Sequence, residues 1–273
     1  MPAAASPRIV LTDFDGTFAD HGVVPESHIE ATRRARANRH TVLLSTGRAI
    51  CMVPRAVREL FDGAITGAGA VVEIGGERLC DHLVPEDAGR RATEVLLDHG
   101  VGFALEASDA IFTTPHTAEV MRARLSDGGR AERNAREILA SVQTPDDLTA
   151  HRFAKISVWG SPVPMEVLAR EIGPALRPLP NSVATDDSHA GELQLVDVDK
   201  SDGMRLILEH LGADVSAAIA VGDGTNDLGM LEAAGTAVAI DGGASALLEH
   251  ADLVVPPPSG NGFALALDRL GLL

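Results

Sequence analysis

Cysteine is nearly missing from this chain of 273 residues: Cys51 and Cys80 are the only two, and neither stands in a CxxC pair or a Cys/His cluster. That spacing gives no support for a disulfide scaffold or a zinc site, so two ordinary reduced thiols are expected. Basic residues are scarce as well, 23 lysines and arginines against 39 aspartates and glutamates, for a formal net charge of −16 and a pI near 4.9. A nucleic-acid backbone or an anionic membrane surface needs clustered Lys and Arg, so neither is an expected partner. The one basic run, ATRRARANRH from Ala31 to His40, lies inside a helical segment just before an apolar strand and reads as a solvated helix face. Long apolar runs are absent too. No stretch approaches the roughly 18 residues of a membrane span. MPAAASPRIVL lacks a charged n-region followed by a long apolar h-region, so a soluble cytoplasmic protein is the expectation.

What the chain does have is 45% hydrophobic residues in short apolar runs separated by helical stretches: RIVLTD, TVLLST and, after a long middle section, ELQLVDV, AAIAVGD, TAVAI and DLVVP. Strands apolar on both faces and alternating with helices imply a mostly parallel sheet covered on both sides. Helices are expected at Ser201 to Leu211, Asn226 to Ala234, Ala244 to His250 and Gly262 to Leu270, with Gly212 and Gly235 as C-terminal stops. The middle holds its own helix-like and strand-like runs (VGFALEA, RFAKISVW), which suggests an inserted α+β domain. Pro178, Pro180 and Asn181 read as a turn-rich stretch near its exit, and PPPSGNG (Pro256 to Gly262) as a surface loop.

Four places could carry chemistry. In DFDGT, Asp13 and Asp15 are two apart at the end of the first strand, so strand geometry points both carboxylates one way and Phe14 the other. That is the carboxyl end of the sheet, where open α/β folds bind ligands. Two adjacent anions there are costly unless a cation or a raised pKa compensates, and a hard divalent metal suits them. In LLSTGR, the hydroxyls of Ser45 and Thr46 and the backbone amides around Gly47 and Arg48 suit phosphate oxygens, although Ser-Thr-Gly is also ordinary turn chemistry. Lys200, between a strand and a helix start, is by itself an ordinary solvated lysine. In AVGDGTNDLGML, Asp223 and Asp227 add two carboxylates at another strand end and fit an oxygen-rich Mg2+ site, with a Gly-Asp turn and a helix cap as the plain alternative. GDGTND is not a dinucleotide loop, because Asp227 replaces the third glycine.

In this order and at these strand ends, the four motifs resemble the haloacid dehalogenase superfamily, and within it the Cof-type phosphatases: DFDGT its first motif, STGR its second, Lys200 its third and GDGTND its fourth. The tail, GMLEAAGTAVAI and then HADLVV, resembles the Cof-type ending. The resemblance implies a Rossmann-like α/β core of three layers with a mostly parallel sheet, formed by residues 1–81 and 191–273, and a class IIB α+β cap at 82–190. Residues 18–44 between the first two motifs are too few for a helical cap, which leaves the long middle section. By the same resemblance Asp13 is the nucleophile and Asp15 the general acid and base. Thr46, Gly47 and Lys200 bind the phosphoryl group, and Mg2+ sits among Asp13, Asp15 (through its carbonyl), Asp223 and Asp227, with Asn226 in support. Relatives that pump ions carry Thr where this chain has Asp15, so hydrolysis or phosphomutase chemistry is favoured. The expectation is a Mg2+-dependent phosphatase of a small phosphorylated metabolite, a sugar or polyol phosphate, acting as a monomer or small homo-oligomer. A phosphomannomutase-like mutase and a non-catalytic binding protein of the same fold are the alternatives. Arg90, Arg91, Arg122, Arg124 and Arg133 form no compact cluster of the kind a mutase needs, and Glu106, Arg152, Lys155, Trp159 and His189 read as structural.

Overall fold

The structure is a computed structural model and describes residues 7–127, 132–180 and 189–273. The chain divides into two compact units, one of residues up to Gly47, Arg55–Cys80 and Asp199–Leu273, the other of Arg48–Pro54 and Asp81–Val198.

The first unit opens with β1 (Ile9–Thr12), α1 (Glu26–Ala37), β2 (Thr41–Ser45), the short α2 (Arg55–Arg58), β3 (Gly63–Thr66), β4 (Val71–Ile74) and β5 (Glu77–Asp81). The second holds α3 (Glu86–Asp98), β6 (Gly102–Glu106), β7 (Ile111–Thr113), α4 (Pro115–Asp127), α5 (Glu132–Ala140), β8 (Val142–Gln143), β9 (Lys155–Gly160), α6 (Met165–Ile172), β10 (Leu176–Pro180) and β11 (Gly191–Leu195). The chain then returns to the first unit with α7 (Lys200–Leu211), β12 (Ala218–Gly222), α8 (Leu228–Ala233), β13 (Thr236–Ile240), α9 (Ser245–His250), β14 (Leu253–Val255) and α10 (Gly262–Arg269).

The first unit's sheet has the order β14-β13-β12-β1-β2-β3-β4-β5, parallel from β14 through β3 and antiparallel where β4 joins β3. Its central strands are buried on both faces, as their unbroken apolar sequences require. Ile9, Leu11, Leu43, Ala218 and Ala220 point into one core with Met204, Ile207 and Leu208 of α7, Met230 and Leu231 of α8 and Leu247 of α9. The alternate residues face the other layer, where α1 packs on α10. The outcome is the expected three-layer α/β unit, with β1 and β12 side by side at its centre so that the ends of both open on one place. VVEIGGERLCD supplies the β4–β5 hairpin, turned by Gly75 and Gly76, both with positive φ (59° and 84°), the conformation a tight two-residue turn needs.

The second unit is an α+β domain with a sheet in the order β10-β11-β9-β6-β7-β8. One face packs Phe103, Leu105, Ile156, Val158 and Leu193 against Leu96 of α3 and Leu168 of α6. Two expectations are corrected here. ELQLVDV is not a strand of the parallel sheet: Gly191–Leu195 is β11, antiparallel to both β9 and β10, and Asp199 marks the chain's return to the first unit. Its alternation of Glu192 and Gln194 with Leu193 and Leu195 belongs to an antiparallel strand with two unlike faces. Pro178 and Pro180 lie within β10, not a turn. As the edge strand of the sheet, β10 tolerates the missing N–H groups. Asn181 lies outside the described residues, as does the side chain of Arg133. Lys155 is buried, with Nζ 3.4 Å from Glu106 and 3.1 Å from Glu192, an ion-paired group inside the sheet domain.

Candidate active site

The regular part of β1 ends at Thr12, but Asp13 still donates its N–H to the Val221 carbonyl of β12 (2.9 Å), so its carboxylate leaves the sheet at a fixed angle. Beyond it the chain closes a turn. Phe18 and Ala19 donate to the Phe14 carbonyl at 3.1 and 2.8 Å, and Gly16 donates to the Ala19 carbonyl at 2.8 Å. This turn, more than strand alternation, places Asp15, which is half-buried while Asp13 and Phe14 are buried. Gly16 has φ +85°, and a Cβ there would lie 2.3 Å from Asp223 Oδ2, so only glycine lets the turn reach the next aspartate. The Thr17 hydroxyl donates to Asp223 Oδ1 at 2.6 Å.

Asp223 and Asp227 follow β12. The second carboxylate folds back over the strand end, where its Oδ2 accepts the N–H groups of Asp223 (3.2 Å) and Gly224 (3.0 Å). A Cβ on Gly222 would sit 2.6 Å from the Asp227 side chain, so this glycine also makes room for a carboxylate. Lys200 comes from the first turn of α7. Asp199 caps that helix in a capping box with Asp202, which fixes where α7 starts and hence where Lys200 stands. Lys200 is buried and its Nζ donates to Asp13 Oδ1 and to Asp227 Oδ1, both at 2.6 Å. One carboxylate oxygen from each of Asp13, Asp223 and Asp227 lies within 4.8 Å of the others.

Three carboxylates around one ammonium leave negative charge in excess. Burial raises the carboxyl of Asp13 well above its ordinary range, with Lys200 opposing and Asp227 and Asp223 adding to the rise. Burial also lifts Asp223 to about 6, against the hydrogen bond from Thr17, with the charges of Asp227 and Asp15 pushing the same way. Lys200 moves the other way round: burial disfavours its charge, but Asp13 and Asp227 outweigh that and hold it protonated. Unlike ordinary buried ion pairs, this cluster is short of positive charge. A hard divalent cation among oxygen donors corrects the deficit, and Asp13, Asp223 and Asp227 fit that role by spacing and chemistry.

Of the residues singled out in the sequence, Asp13, Lys200, Asp223 and Asp227 are in direct contact or within one ligand shell. Asp15 is near enough for its charge to act on Asp223. Thr46 is buried one strand over, its N–H bonded to Ile65 and its carbonyl to Ala68, with Gly47 following at the same end of the sheet. The Ser45 hydroxyl is buried with no partner among the described residues. Asn226 is exposed and turns its amide oxygen toward Gly224. Arg48 groups with the second unit. Two contributors escaped the sequence reading: Thr17, and Gly69, whose φ of +113° and approach to the Asp199 carbonyl leave no space for a Cβ.

Comparison with known proteins agrees with this geometry. The haloacid dehalogenase-like hydrolase family matches residues 10–267. Bacillus subtilis YkrA is 25% identical over 278 residues, 97% of this chain and 98% of its own. The 5-amino-6-(5-phospho-D-ribitylamino)uracil phosphatase YwtE of the same organism is 22% identical over 287 residues, covering 96% of this chain and 98% of its own. Among solved structures, the HAD subclass IIB sugar phosphatase BT4131 superimposes with a TM-score of 0.77 at 21% identity, over 97% of this chain and 100% of that one. With one family covering nearly the whole length and a matching fold and site, the chain belongs to the haloacid dehalogenase-like hydrolases.

Proposed function

We propose that this hydrolase is a Mg2+-dependent phosphatase of small phosphorylated metabolites, sugar or polyol phosphates, working through an aspartyl-phosphate on Asp13. The observation that carries the reading is the Lys200 ammonium, buried and bonded at 2.6 Å to both Asp13 and Asp227, beside a third carboxylate at the same strand ends. A carboxylate attacking a phosphate monoester is anion against anion, so the site must supply positive charge and hydrogen-bond donors. In the first step Asp13 forms an O–P bond, the P–O bond to the leaving group breaks, and the Asp15 carboxyl gives its proton to the departing alkoxide. In the second step Asp15 takes a proton from water as that water attacks phosphorus, and inorganic phosphate and the Asp13 carboxylate are released. Lys200 fixes the rotation of the Asp13 side chain, and Thr46 and Gly47 supply donors to the phosphoryl oxygens. Asp13, Asp223 and Asp227 would hold the Mg2+, with the Asp15 carbonyl and Asn226 in support, and its charge would keep the carboxylates ionised and offset the phosphoryl oxygens.

The substrate class is supported by the similarity to a sugar phosphatase and to a phosphatase of a ribityl phosphate, and by a net charge of −16 that disfavours polyanions. A phosphate-release screen over small sugar and polyol monophosphates, an aryl phosphate and phosphopeptides tests it. Turnover on several small monophosphates is expected, abolished by EDTA and restored by Mg2+. Asp13→Asn should end turnover, and Asp15→Asn should slow it by about a hundredfold, the scale of lost general acid/base catalysis. Full activity in a metal-stripped sample, or faster action on phosphopeptides than on every metabolite, would defeat the reading.

A further inference from the structure

His28 is fully buried in the first turn of α1, away from the carboxylates, and the chemistry above makes no use of it. Its Nδ1 lies 2.9 Å from the Phe18 carbonyl. A carbonyl only accepts, so Nδ1 carries the proton and the neutral ring leaves Nε2 bare. Nε2 indeed has no hydrogen-bond partner among the described residues. The ring stands in an aromatic cage, 5.7 Å from Phe18 and 5.6 Å from Phe263, while Phe18 meets Phe61 and Phe263 edge-on at 5.0 and 5.2 Å. Burial lowers the pKa of His28 against the opposing carbonyls of Phe18 and Asn261, and the positive end of α1 adds to the lowering. Together they keep a neutral donor beneath Phe18.

Phe18 is the far anchor of the turn that delivers the site. Its N–H closes on Phe14, its neighbour Ala19 bonds both Phe14 and Gly16, and Thr17, one residue before it, holds Asp223. We propose that His28 is a positioning residue, whose hydrogen bond to the Phe18 carbonyl locks the Asp13–Ala19 turn so that Asp15 and Thr17 stay in register with Asp13 and Asp223. The Phe18 carbonyl shares a peptide plane with the Ala19 N–H, which bonds Phe14 at 2.8 Å. The Nδ1 donor at 2.9 Å holds the opposite edge of the same plane, so the turn is clamped from both sides. The inference rests on the phosphatase reading for the reaction it serves, but one of its readouts does not depend on turnover.

The test compares His28→Phe, which keeps a ring in the cage without the donor, with His28→Asn, whose amide can donate from the Nδ1 position. In the metal-free protein, amide exchange at Gly16 and Ala19 should quicken about tenfold in His28→Phe, the scale of one lost hydrogen bond, while Val10 and Leu43 in the sheet stay within about twofold. His28→Asn should restore the slow rate. On the aryl phosphate, kcat should fall about tenfold in His28→Phe with KM nearly unchanged, and recover in His28→Asn. A merely structural histidine would speed exchange across the whole unit and leave kcat alone well below the melting temperature. Wild-type exchange at Gly16 and Ala19 in His28→Phe overturns the inference. An inactive wild-type protein would sink the phosphatase reading and leave the exchange comparison to decide the anchoring.

Discussion

Gly16 has φ +85° and a neighbouring carboxylate oxygen 2.3 Å from where a Cβ would stand, so it faces two separate objections to any side chain. The left-handed backbone alone costs an alanine about 1 kcal/mol, a modest loss. The second is a collision with Asp223, whose position the site needs. Gly16→Ala should therefore cost far more in turnover than in stability: kcat/KM on the aryl phosphate down by about a hundredfold or more, the scale of lost positioning, with a melting temperature lower by only about 2–4 °C. Phosphate release and thermal unfolding of the same preparation check this, and near-wild-type kcat/KM would contradict it. The position also shows what sequence does and does not disclose about single residues. Asp13, Asp15, Asp223 and Asp227 could be picked out because each is a carboxylate at or just beyond a strand end, where an unpaired charge calls for a reason, whereas Lys200 reads by itself as a solvated lysine and stands out only by its place in the order of the four motifs. The close approach of Gly16 to Asp223, and the hydrogen bond of Thr17 to the same carboxylate, depend on a partner more than two hundred positions away in the chain, and no local signal marks them.

At the level of elements, α7 matters most, because its starting point decides where Lys200 reaches. Asp199 accepts the N–H groups of Ser201 (2.7 Å) and Asp202 (3.3 Å), and Asp202 accepts the Asp199 N–H (3.1 Å), so the first turn is fixed from both sides. Asp199→Ala should cost about 1 kcal/mol, as losing a good N-cap does, and loosen the Lys200 bonds to Asp13 and Asp227. Asp199→Asn, an equally good cap, should keep both stability and turnover. Denaturant unfolding with parallel kinetics decides, and an Asp199→Ala protein as stable and active as wild type would refute the role. The parallel strands and their helices were legible because an apolar run followed by a helical period has one economical solution. β11 was misassigned because ELQLVDV satisfies two templates, a short buried run and an amphipathic strand, and only pairing with β9 and β10 separates them. The prolines of β10 misled for a related reason: they exclude a central strand but not an edge, and sequence does not reveal which strand is the edge.

Across the whole molecule, the excess negative charge at the strand ends should make stability depend on pH and on metal together. In the metal-free protein, burial and mutual repulsion raise the carboxyls of Asp13 and Asp223, the latter to about 6. A carboxyl whose folded pKa lies above its unfolded value of about 3.9 binds more protons in the native state across that window. Its contribution is fully present below about pH 4 and is lost as pH rises through 6. Two buried histidines act in the opposite sense. His28 and His40 are lowered by burial, with Arg8 adding to the effect at His40. The His40 Nδ1 accepts the Arg8 N–H at 3.0 Å, so it too is neutral in the fold. Their contribution is present above about pH 6.5 and is lost as pH falls through their lowered values. A simple pH scan mixes the two effects, but Mg2+ should separate them, because a cation held as proposed would replace protons on the carboxylates and leave the histidines untouched. The rise in melting temperature on adding saturating Mg2+ should be small at pH 5 and about 3 °C or more at pH 7.5, since a cation that binds only the native state stabilises it by mass action. In Asp223→Asn the difference between the two pH values should shrink. Scanning calorimetry with Mg2+ and with EDTA at both pH values measures it. An equal Mg2+ shift at pH 5 and pH 7.5, or none at either, would show that Asp13, Asp223 and Asp227 do not share a divalent cation.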